Sequence, residues 1–283
     1  SKGLMDYVEL RISASDPAAL ELLYVDLEDM PVEAVEQEGN DLLAYIPADQ
    51  WTGEVDFPLA ASVAELTWTY RHIAHQNWNA VWESSFDPLS IGSELLIYAP
   101  FHQDVNPRDY RYAVQMVPKM AFGTGHHPTT YLMLERVLEA DLKGAQVLDM
   151  GCGTAVLAIV ALMHGAAQGV GIEIEPYAAD NARELTERHG MADRLDIRTG
   201  DASQLAAHEQ FDVVYANIHR NVLLADMPRY AQVLKSGGRL HLSGFYRADA
   251  AAIRAAAEAA GLSFSAQHER EAWVAMTVEK PVN

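Results

Sequence analysis

The sequence predicts an α/β protein with a doubly wound, mostly parallel sheet and a small α+β domain in front of it. Three observations predict this fold class. From Gln146 onward, short apolar runs alternate with helical segments. Glycine-rich turns follow several of those runs. The N-terminal segment has a separate alternation of strands and helices and a strongly acidic composition.

The N-terminal segment predicts the element order βαββαβ, which is ferredoxin-like. Alternating apolar residues indicate the strands, and Asp16-Pro17 is a good cap and first-turn pair for the first helix. The predicted strands are 7–12, 32–37, 42–46 and 66–72, and the predicted helices are 18–29 and 58–65.

Charge divides the chain unevenly. The formal net charge is −20, and residues 12–70 contain thirteen Asp and Glu residues and no Lys or Arg. Such a run is usually a solvated face and also favours solubility. A domain this acidic would repel nucleic acid and attract a basic partner. We therefore expect a basic protein partner and no direct contact with nucleic acid.

The most informative turn of the second region is Gly151-Cys-Gly153. It follows an apolar strand, 146–149, and precedes residues 156–164, which are predicted to begin a long apolar helix. Two glycines there allow a sharp backbone turn and a close ligand. A dinucleotide-binding turn has its third glycine at the position of Val156, so the spacing disfavours an oxidoreductase. Together with the glycine and threonine loop 122–130, which leads through His-Pro into a helix, the turn suggests an enzyme that uses S-adenosylmethionine. The Asp149 carboxylate is then placed to accept hydrogen bonds, directly or through water, from the methionine ammonium.

Polar residues stand at the ends of the following strands, predicted at 169–172, 195–199 and 211–216. Glu173 is placed to take both ribose hydroxyls, as acidic residues do in doubly wound folds. Asp201 is expected at the adenine edge, although an aspartate after glycine also stabilises turns. Together with Asn217 and Asp149, these residues predict a ligand site at one edge of the sheet.

Other chemistries find less support. A glycine turn alone fits a different nucleotide or a simple tight turn about as well. Adjacent His126 and His127 do not converge on one ion, so no metal site is predicted. Cys152, the only cysteine, is interpreted as a small residue in a tight loop and fits a reducing cytoplasm. No run of membrane-spanning length and no signal peptide is recognised.

A specific resemblance joins these features. The run Ala121-Phe-Gly-Thr-Gly-His-His-Pro-Thr-Thr130 resembles the AFGTG-x-HPTT signature of the ribosomal protein L11 methyltransferase family, PrmA. Further runs resemble the same family: 149–153, 171–176, 216–218, 236–238, 242–244 and the tryptophan-bearing 77–82. The resemblance implies a Rossmann-like class I methyltransferase fold with an N-terminal ferredoxin-like domain.

The resemblance also implies roles for single residues. The expected cofactor contacts are Thr130, Gly151, Gly153, Glu173 and Asn217, with Phe122 and Gly123 closing over the cofactor. Pro128 fits a first helical turn whose free N–H groups favour the methionine carboxylate. We expect Asn217 and Thr124 to orient the methyl-accepting amine. His126 replaces a usual threonine and Ala155 replaces a third glycine found in many methyltransferases.

The implied activity is methylation of lysine side-chain and N-terminal amines of a basic ribosomal protein, L11. The expected domains are an acidic substrate-recognition domain at 1–75, a linker with the tryptophan helix at 76–100 and a catalytic domain at 101–283. Three alternatives stay open: a methyltransferase for another protein or a small molecule, an oxidoreductase, and a non-catalytic module that binds a ribosomal protein. The sequence does not determine the oligomeric state.

Overall fold

The computed structural model describes residues 4–77, 87–116 and 128–283. The chain divides into two compact units, Ser1–Ser84 and Ser85–Asn283. The tryptophan-bearing segment 78–82 and the loop 121–127 lie outside the described residues. None of the helices among the described residues is long and apolar enough to cross a membrane.

The first unit contains a four-stranded antiparallel sheet in the order β2-β3-β1-β4. Its elements follow the sequence βαββαβ: β1 Leu4–Ala14, α1 Ala19–Glu28, β2 Ala34–Glu38, β3 Asp41–Pro47, α2 Pro58–Ala61 and β4 Leu66–Asn77. The buried faces of β1, β3 and α1 form its core, in which Leu10, Leu23 and Ile46 are buried. Asp26 of α1 joins the helices, because its carboxylate accepts hydrogen bonds from the backbone N–H groups of Leu59 and Ala60.

The second helix of this unit differs from its prediction. The helix α2 ends at Ala61, whereas the sequence predicts it as far as residue 65. The backbone of Glu65 is held at the end of β1, where Ser15 N donates to Glu65 O at 2.9 Å and Glu65 N donates to Ser15 Oγ at 3.1 Å. These two hydrogen bonds pair Glu65 with the end of β1, immediately before β4 begins. The helix therefore ends before it reaches residue 65.

A small three-stranded sheet begins the second unit. It consists of β5 Leu89–Ile91, β6 Leu95–Tyr98 and β7 Tyr112–Gln115, with β5 antiparallel and β7 parallel to β6. Two of these strands fall within the predicted linker, 76–100. Tyr112 connects this sheet to the rest of the unit, because its hydroxyl forms a 2.9 Å hydrogen bond with His164 Nδ1.

The main sheet has seven strands in the order β10-β9-β8-β11-β12-β14-β13. Strands β8 to β12 run parallel, and β14 is antiparallel to both of its neighbours. This arrangement confirms the predicted doubly wound, mostly parallel sheet. The strands are β8 Gln146–Met150, β9 Gln168–Glu173, β10 Leu195–Thr199, β11 Phe211–Asn217, β12 Leu234–Tyr246, β13 Ser263–Arg270 and β14 Trp273–Glu279.

Helices cover the sheet because the central strands are apolar on both faces. The helices are α3 Pro128–Glu139, α4 Val156–Met163, α5 Pro176–Arg188, α6 Arg220–Val233 and α7 Ala250–Ala259. Seven of the eight residues of α4 are buried, which explains why it reads as a continuous apolar run. The side chains of Leu148, Val214 and Leu240 are fully buried in three adjacent parallel strands.

Candidate active site

The strand order reverses between β8 and β11, and this reversal locates the candidate site. On one side of β8 the chain proceeds to β9 and β10, and on the other side it proceeds from β11 to β12. Parallel strands present their carboxyl ends at one edge of a sheet, and ligands of open α/β folds bind outside those ends where the order reverses. The turn that follows β8 and the residues that follow β11 flank this point.

The glycine turn after β8 needs both of its glycines, but for different reasons. Gly151 and Gly153 have φ angles of +65° and +53°, in the left-handed region that favours glycine. A Cβ on Gly151 would lie 2.6 Å from Ile218 Cγ2, whereas a Cβ on Gly153 would meet no described residue within 4 Å. Gly151 therefore permits close packing, and Gly153 leaves the outer side of the turn open.

Ile218 is a packing residue that the sequence reasoning missed. It follows Asn217 and touches the Gly151 turn on one side. On its other side lies Gly244, at φ +99°, where a Cβ would run into the Ile218 carbonyl oxygen. Ile218 N also donates to Ser243 O at 3.2 Å. The ends of β8, β11 and β12 therefore pack around Ile218. In the sequence, only the glycines Gly151 and Gly244, in two separate family motifs, pointed to this close packing.

Glu173 links two strand ends through both of its carboxylate oxygens. Oε1 accepts a 3.0 Å hydrogen bond from Gly153 N, and Oε2 accepts a 2.9 Å bond from Glu175 N. A carboxylate has about four acceptor positions, so roughly two remain for other donors. The side chain therefore fixes the glycine turn and is still able to accept two hydroxyl groups.

Asp149 lies beneath the turn rather than at its surface. The residue is 1% exposed, and its Oδ2 accepts a 3.2 Å hydrogen bond from Ala158 N in the first turn of α4. Burial, followed by the negative charge of Glu173, raises the pKa of the Asp149 carboxyl well above its usual range. In the structure this carboxylate binds the first turn of α4. Its contact with a methionine ammonium stays a prediction.

Asp201 acts as a turn cap in the structure. Its Oδ1 accepts hydrogen bonds from Ser203 N at 2.9 Å and Ser203 Oγ at 2.5 Å. The hydrogen bonds from Ser203 also lower the pKa of the Asp201 carboxyl. This is the turn-stabilising interpretation that the sequence left open, and a contact with adenine stays a prediction.

Of the remaining residues predicted to contact the cofactor or the amine, the structure describes only some. Asn217 ends β11 beside the glycine turn, and its side-chain amide forms no hydrogen bond with another described residue. Thr130 lies in the first turn of α3 and is 7% exposed. Phe122, Gly123, Thr124 and His126, for which the sequence also predicts roles, lie outside the residues that the structure describes.

Cys152 and Ala155 behave as ordinary turn residues. Burial raises the pKa of the Cys152 thiol well above its usual value, which disfavours the thiolate that a nucleophile requires. Ala155 has a φ of +66° immediately before α4. An alanine in the left-handed backbone region costs roughly 1–2 kcal/mol relative to glycine. The backbone of Ala155 therefore carries this strain at the position where many methyltransferases have a third glycine.

Comparison with known proteins identifies the family. The model of the family described as ribosomal protein L11 methyltransferase (PrmA) matches residues 11–281. This chain belongs to the ribosomal protein L11 methyltransferase family. A member named ribosomal protein L11 methyltransferase from Bacteroides fragilis is 41% identical over 86% of this chain and 87% of its own. One of the same name from Porphyromonas gingivalis is 40% identical over 91% of this chain and 90% of its own.

A solved structure agrees with the fold of this family member. The crystal structure of ribosomal protein L11 methylase from Lactobacillus delbrueckii subsp. bulgaricus aligns with a TM-score of 0.63. It is 21% identical and covers 69% of this chain and 100% of its own. The likeness supports the class I methyltransferase fold, and the resemblance found in the sequence is confirmed by the family match.

The methyltransferase site also fits the cofactor of this fold class, S-adenosylmethionine. The open side of Gly153 admits a ligand close to the backbone. The unused acceptor positions of Glu173 suit a pair of ribose hydroxyls. Asn217, whose amide forms no hydrogen bond with another described residue, ends β11 on the other side of the reversal point.

Proposed function

We propose that this methyltransferase transfers methyl groups from S-adenosylmethionine to lysine side-chain and N-terminal amines of ribosomal protein L11. The observation that carries the proposal is the family match over residues 11–281, with the site built at the reversal point of the sheet. Ribosomal proteins are commonly basic, and the formal net charge of −20 on this chain suits such a partner. A ribosomal substrate implies that the protein acts in the cytoplasm.

The residues at the strand ends and at the start of α3 have different proposed roles in the site. Glu173 holds the ribose hydroxyls and keeps the Gly153 turn in place. The backbone of Gly151 and Gly153 approaches the cofactor, and Thr130 adds a hydroxyl donor at the start of α3. When bound, S-adenosylmethionine supplies a methyl group already activated by its sulfonium. The protein therefore contributes mainly alignment and exclusion of water.

The methyl-accepting amine must be neutral before it can attack. A lysine amine has a pKa near 10.4 in water, and burial lowers it by disfavouring the charged form. We propose that Asn217 and Thr124 orient the neutral amine by accepting its hydrogen bonds. This role is supported by the side-chain amide of Asn217, which stands at the end of β11 and forms no hydrogen bond within the described residues.

We further propose that residues 1–75 form the substrate-recognition domain. The catalytic domain then begins before residue 101, because β5 and β6, within the predicted linker 76–100, share a sheet with β7. The acidic charge of the first unit supports its separate role. Among the described strands, its sheet contains none from the second unit.

The test is a methylation assay with labelled S-adenosylmethionine and purified ribosomal protein L11, followed by mass mapping of the modified amines. We expect label on lysine and N-terminal amines. Asn217→Ala should lower turnover at least about tenfold, the effect of losing roughly one hydrogen bond of about 1.4 kcal/mol in the transition state. Asn40→Ala, in the hairpin between β2 and β3, is the matched control.

The outcomes separate the alternatives. Binding of S-adenosylhomocysteine without transfer to ribosomal protein L11 would redirect the search to another protein or a small molecule. Binding of ribosomal protein L11 without any transfer would indicate a non-catalytic module. Full turnover and unchanged cofactor affinity in Asn217→Ala would remove both roles proposed for Asn217.

A further inference from the structure

The edge strand β4 is exposed over its first half. It lies at the end of the sheet order and pairs, among the described strands, only with β1. Six consecutive residues, 67–72, are exposed, so the strand is open on both faces. An uncovered edge presents unpaired backbone N–H and C=O groups, which are a template for an added strand.

One face of β4 carries a row of aromatic side chains. Trp68, Tyr70 and His72 alternate along the strand and therefore share a face. Trp68 and Tyr70 are 38% and 49% exposed. Trp51 joins them, with its ring centroid 5.0 Å from that of Tyr70 and 6.4 Å from that of Trp68. We call these four residues and the free edge of β4 the β4 surface.

Among the described residues, the charged side chains near the β4 surface that form no ion pair are acidic. Asp49, Glu54 and Asp56 are exposed in the loop that carries Trp51, and Glu65 immediately precedes β4. Within the part of the chain that the structure describes, none of these four carboxylates forms an ion pair. By contrast, both described arginines of this unit are paired, Arg11 with Glu38 and Asp41 and Arg71 with Glu9.

These features select one kind of occupant. Aromatic faces attract ammonium groups placed over them, and the nearby carboxylates attract the same groups over a longer range. The same carboxylates repel the phosphates of RNA and oppose edge-to-edge pairing with a second copy of this chain. A lysine-rich extended segment is therefore favoured over both.

We propose that the β4 surface docks an extended, lysine-rich segment of the methyl-accepting protein. The segment adds to β4 as a further strand and lays lysine side chains over Trp68 and Tyr70. The proposal rests on the proposed function only in taking the docked protein to be the methyl acceptor. It adds the surface, the mode of binding and the chemistry that is recognised.

The first experiment measures binding to the full-length protein. The probe is a fluorescein-labelled peptide of alternating lysine and threonine with the 12-residue length of β4. The variant Trp68→Ala/Tyr70→Ala should bind it roughly tenfold more weakly, the effect of losing two exposed cation–π contacts. The control Thr67→Ala/Thr69→Ala alters the opposite face of the same strand and should change affinity less than about twofold.

A second pair of variants tests the charge. The triple variant Glu54→Gln/Asp56→Asn/Glu65→Gln should weaken peptide binding by roughly fivefold at low salt, with a smaller loss at high salt. A control with the same change in net charge, Asp104→Asn/Asp109→Asn/Glu187→Gln, lies in the second unit and should have little effect. An unchanged circular-dichroism spectrum and unchanged urea unfolding show that the first unit of each variant is folded, and unchanged affinity for S-adenosylhomocysteine shows the same for the second unit.

The results that overturn the proposal are specific. They are failure of the wild-type protein to bind the peptide, equal losses in the variants and their controls, and tighter binding of oligouridylate than of the peptide. Concentration-dependent dimerisation that the aromatic variant abolishes would instead assign the β4 surface to self-association.

Kinetics separate this proposal from the proposed function. If ribosomal protein L11 is the acceptor, Trp68→Ala/Tyr70→Ala should raise its KM about tenfold and leave kcat unchanged. Methylation with an unchanged KM would refute the docking proposal and leave the function standing. Peptide binding at the β4 surface without methylation of ribosomal protein L11 would refute the function and leave the docking surface standing.

Discussion

Replacing Gly151 by alanine tests the packing at the reversal point of the sheet. The new methyl group would lie 2.6 Å from Ile218 Cγ2, well inside van der Waals contact. The neighbouring Gly153 is the matched control, because a methyl group there would meet nothing within 4 Å in the part of the chain that the structure describes. Both glycines have positive φ, so the backbone strain of alanine is common to the two variants.

The structure fixes the expected difference in stability. An alanine in the left-handed region costs roughly 1–2 kcal/mol, and this is the whole expected loss for Gly153→Ala. Overpacking adds about 1–3 kcal/mol, so Gly151→Ala should lose about 2–5 kcal/mol of unfolding free energy. Urea unfolding of the full chain, followed by circular dichroism, measures both values.

Ile218→Ala tests whether the clash with Ile218 causes the extra loss of stability in Gly151→Ala. Ile218→Ala removes the atoms that clash with the new methyl group, so it should restore about 1–3 kcal/mol to Gly151→Ala. It should not rescue Gly244→Ala, whose methyl group meets the Ile218 backbone oxygen. Equal losses for the Gly151 and Gly153 variants, or no positive coupling between Gly151→Ala and Ile218→Ala, would refute the packing explanation.

Three further predictions concern the charged and titrating groups. Glu173→Gln keeps one acceptor oxygen for its two backbone donors, so affinity for S-adenosylhomocysteine should fall at least about tenfold by calorimetry, for a loss of about 1.5–3 kcal/mol. Asp149 has a folded pKa above its unfolded value; the folded state therefore holds the proton longer, and the unfolding free energy should decline as pH rises above about 4. Asp149→Asn should flatten that decline in urea titrations across pH. Burial lowers the pKa of His241 to about 3, so stability should fall by up to about 1.4 kcal/mol per pH unit as pH drops from about 6.5 towards 3, and His241→Gln should remove this acid sensitivity.

The strands of the catalytic unit were predictable because their signals are local. The predicted strand at 195–199 coincides with β10. The strand predicted at 169–172 is one residue shorter than β9 at each end, and the strand predicted at 211–216 is one residue shorter than β11 at its C-terminal end. Each is a short apolar run that ends at a glycine or a polar residue, and that pattern requires no knowledge of distant contacts. The helix α2 was predicted too long because its end depends on Ser15, fifty residues earlier in the chain.

The site was predictable in its residue types but not in its contacts. The sequence places acidic residues at successive strand ends, and parallel pairing brings those ends to one edge. It does not reveal that Glu173 binds the Gly153 backbone or that Asp149 turns inward to α4. Those choices depend on which atoms become neighbours once the strands are assembled.

The sequence by itself determined the alternation of elements, the family and the acidic character of the first unit, because periodicity, motifs and charge are properties of the chain. Only the tertiary structure decided the strand order, the packing of Gly151 and Gly244 around Ile218, and the exposure of β4. These features arise from contacts between residues that are far apart in the chain. A local pattern indicates that a glycine or a strand is present, but only the assembled sheet shows what that residue touches.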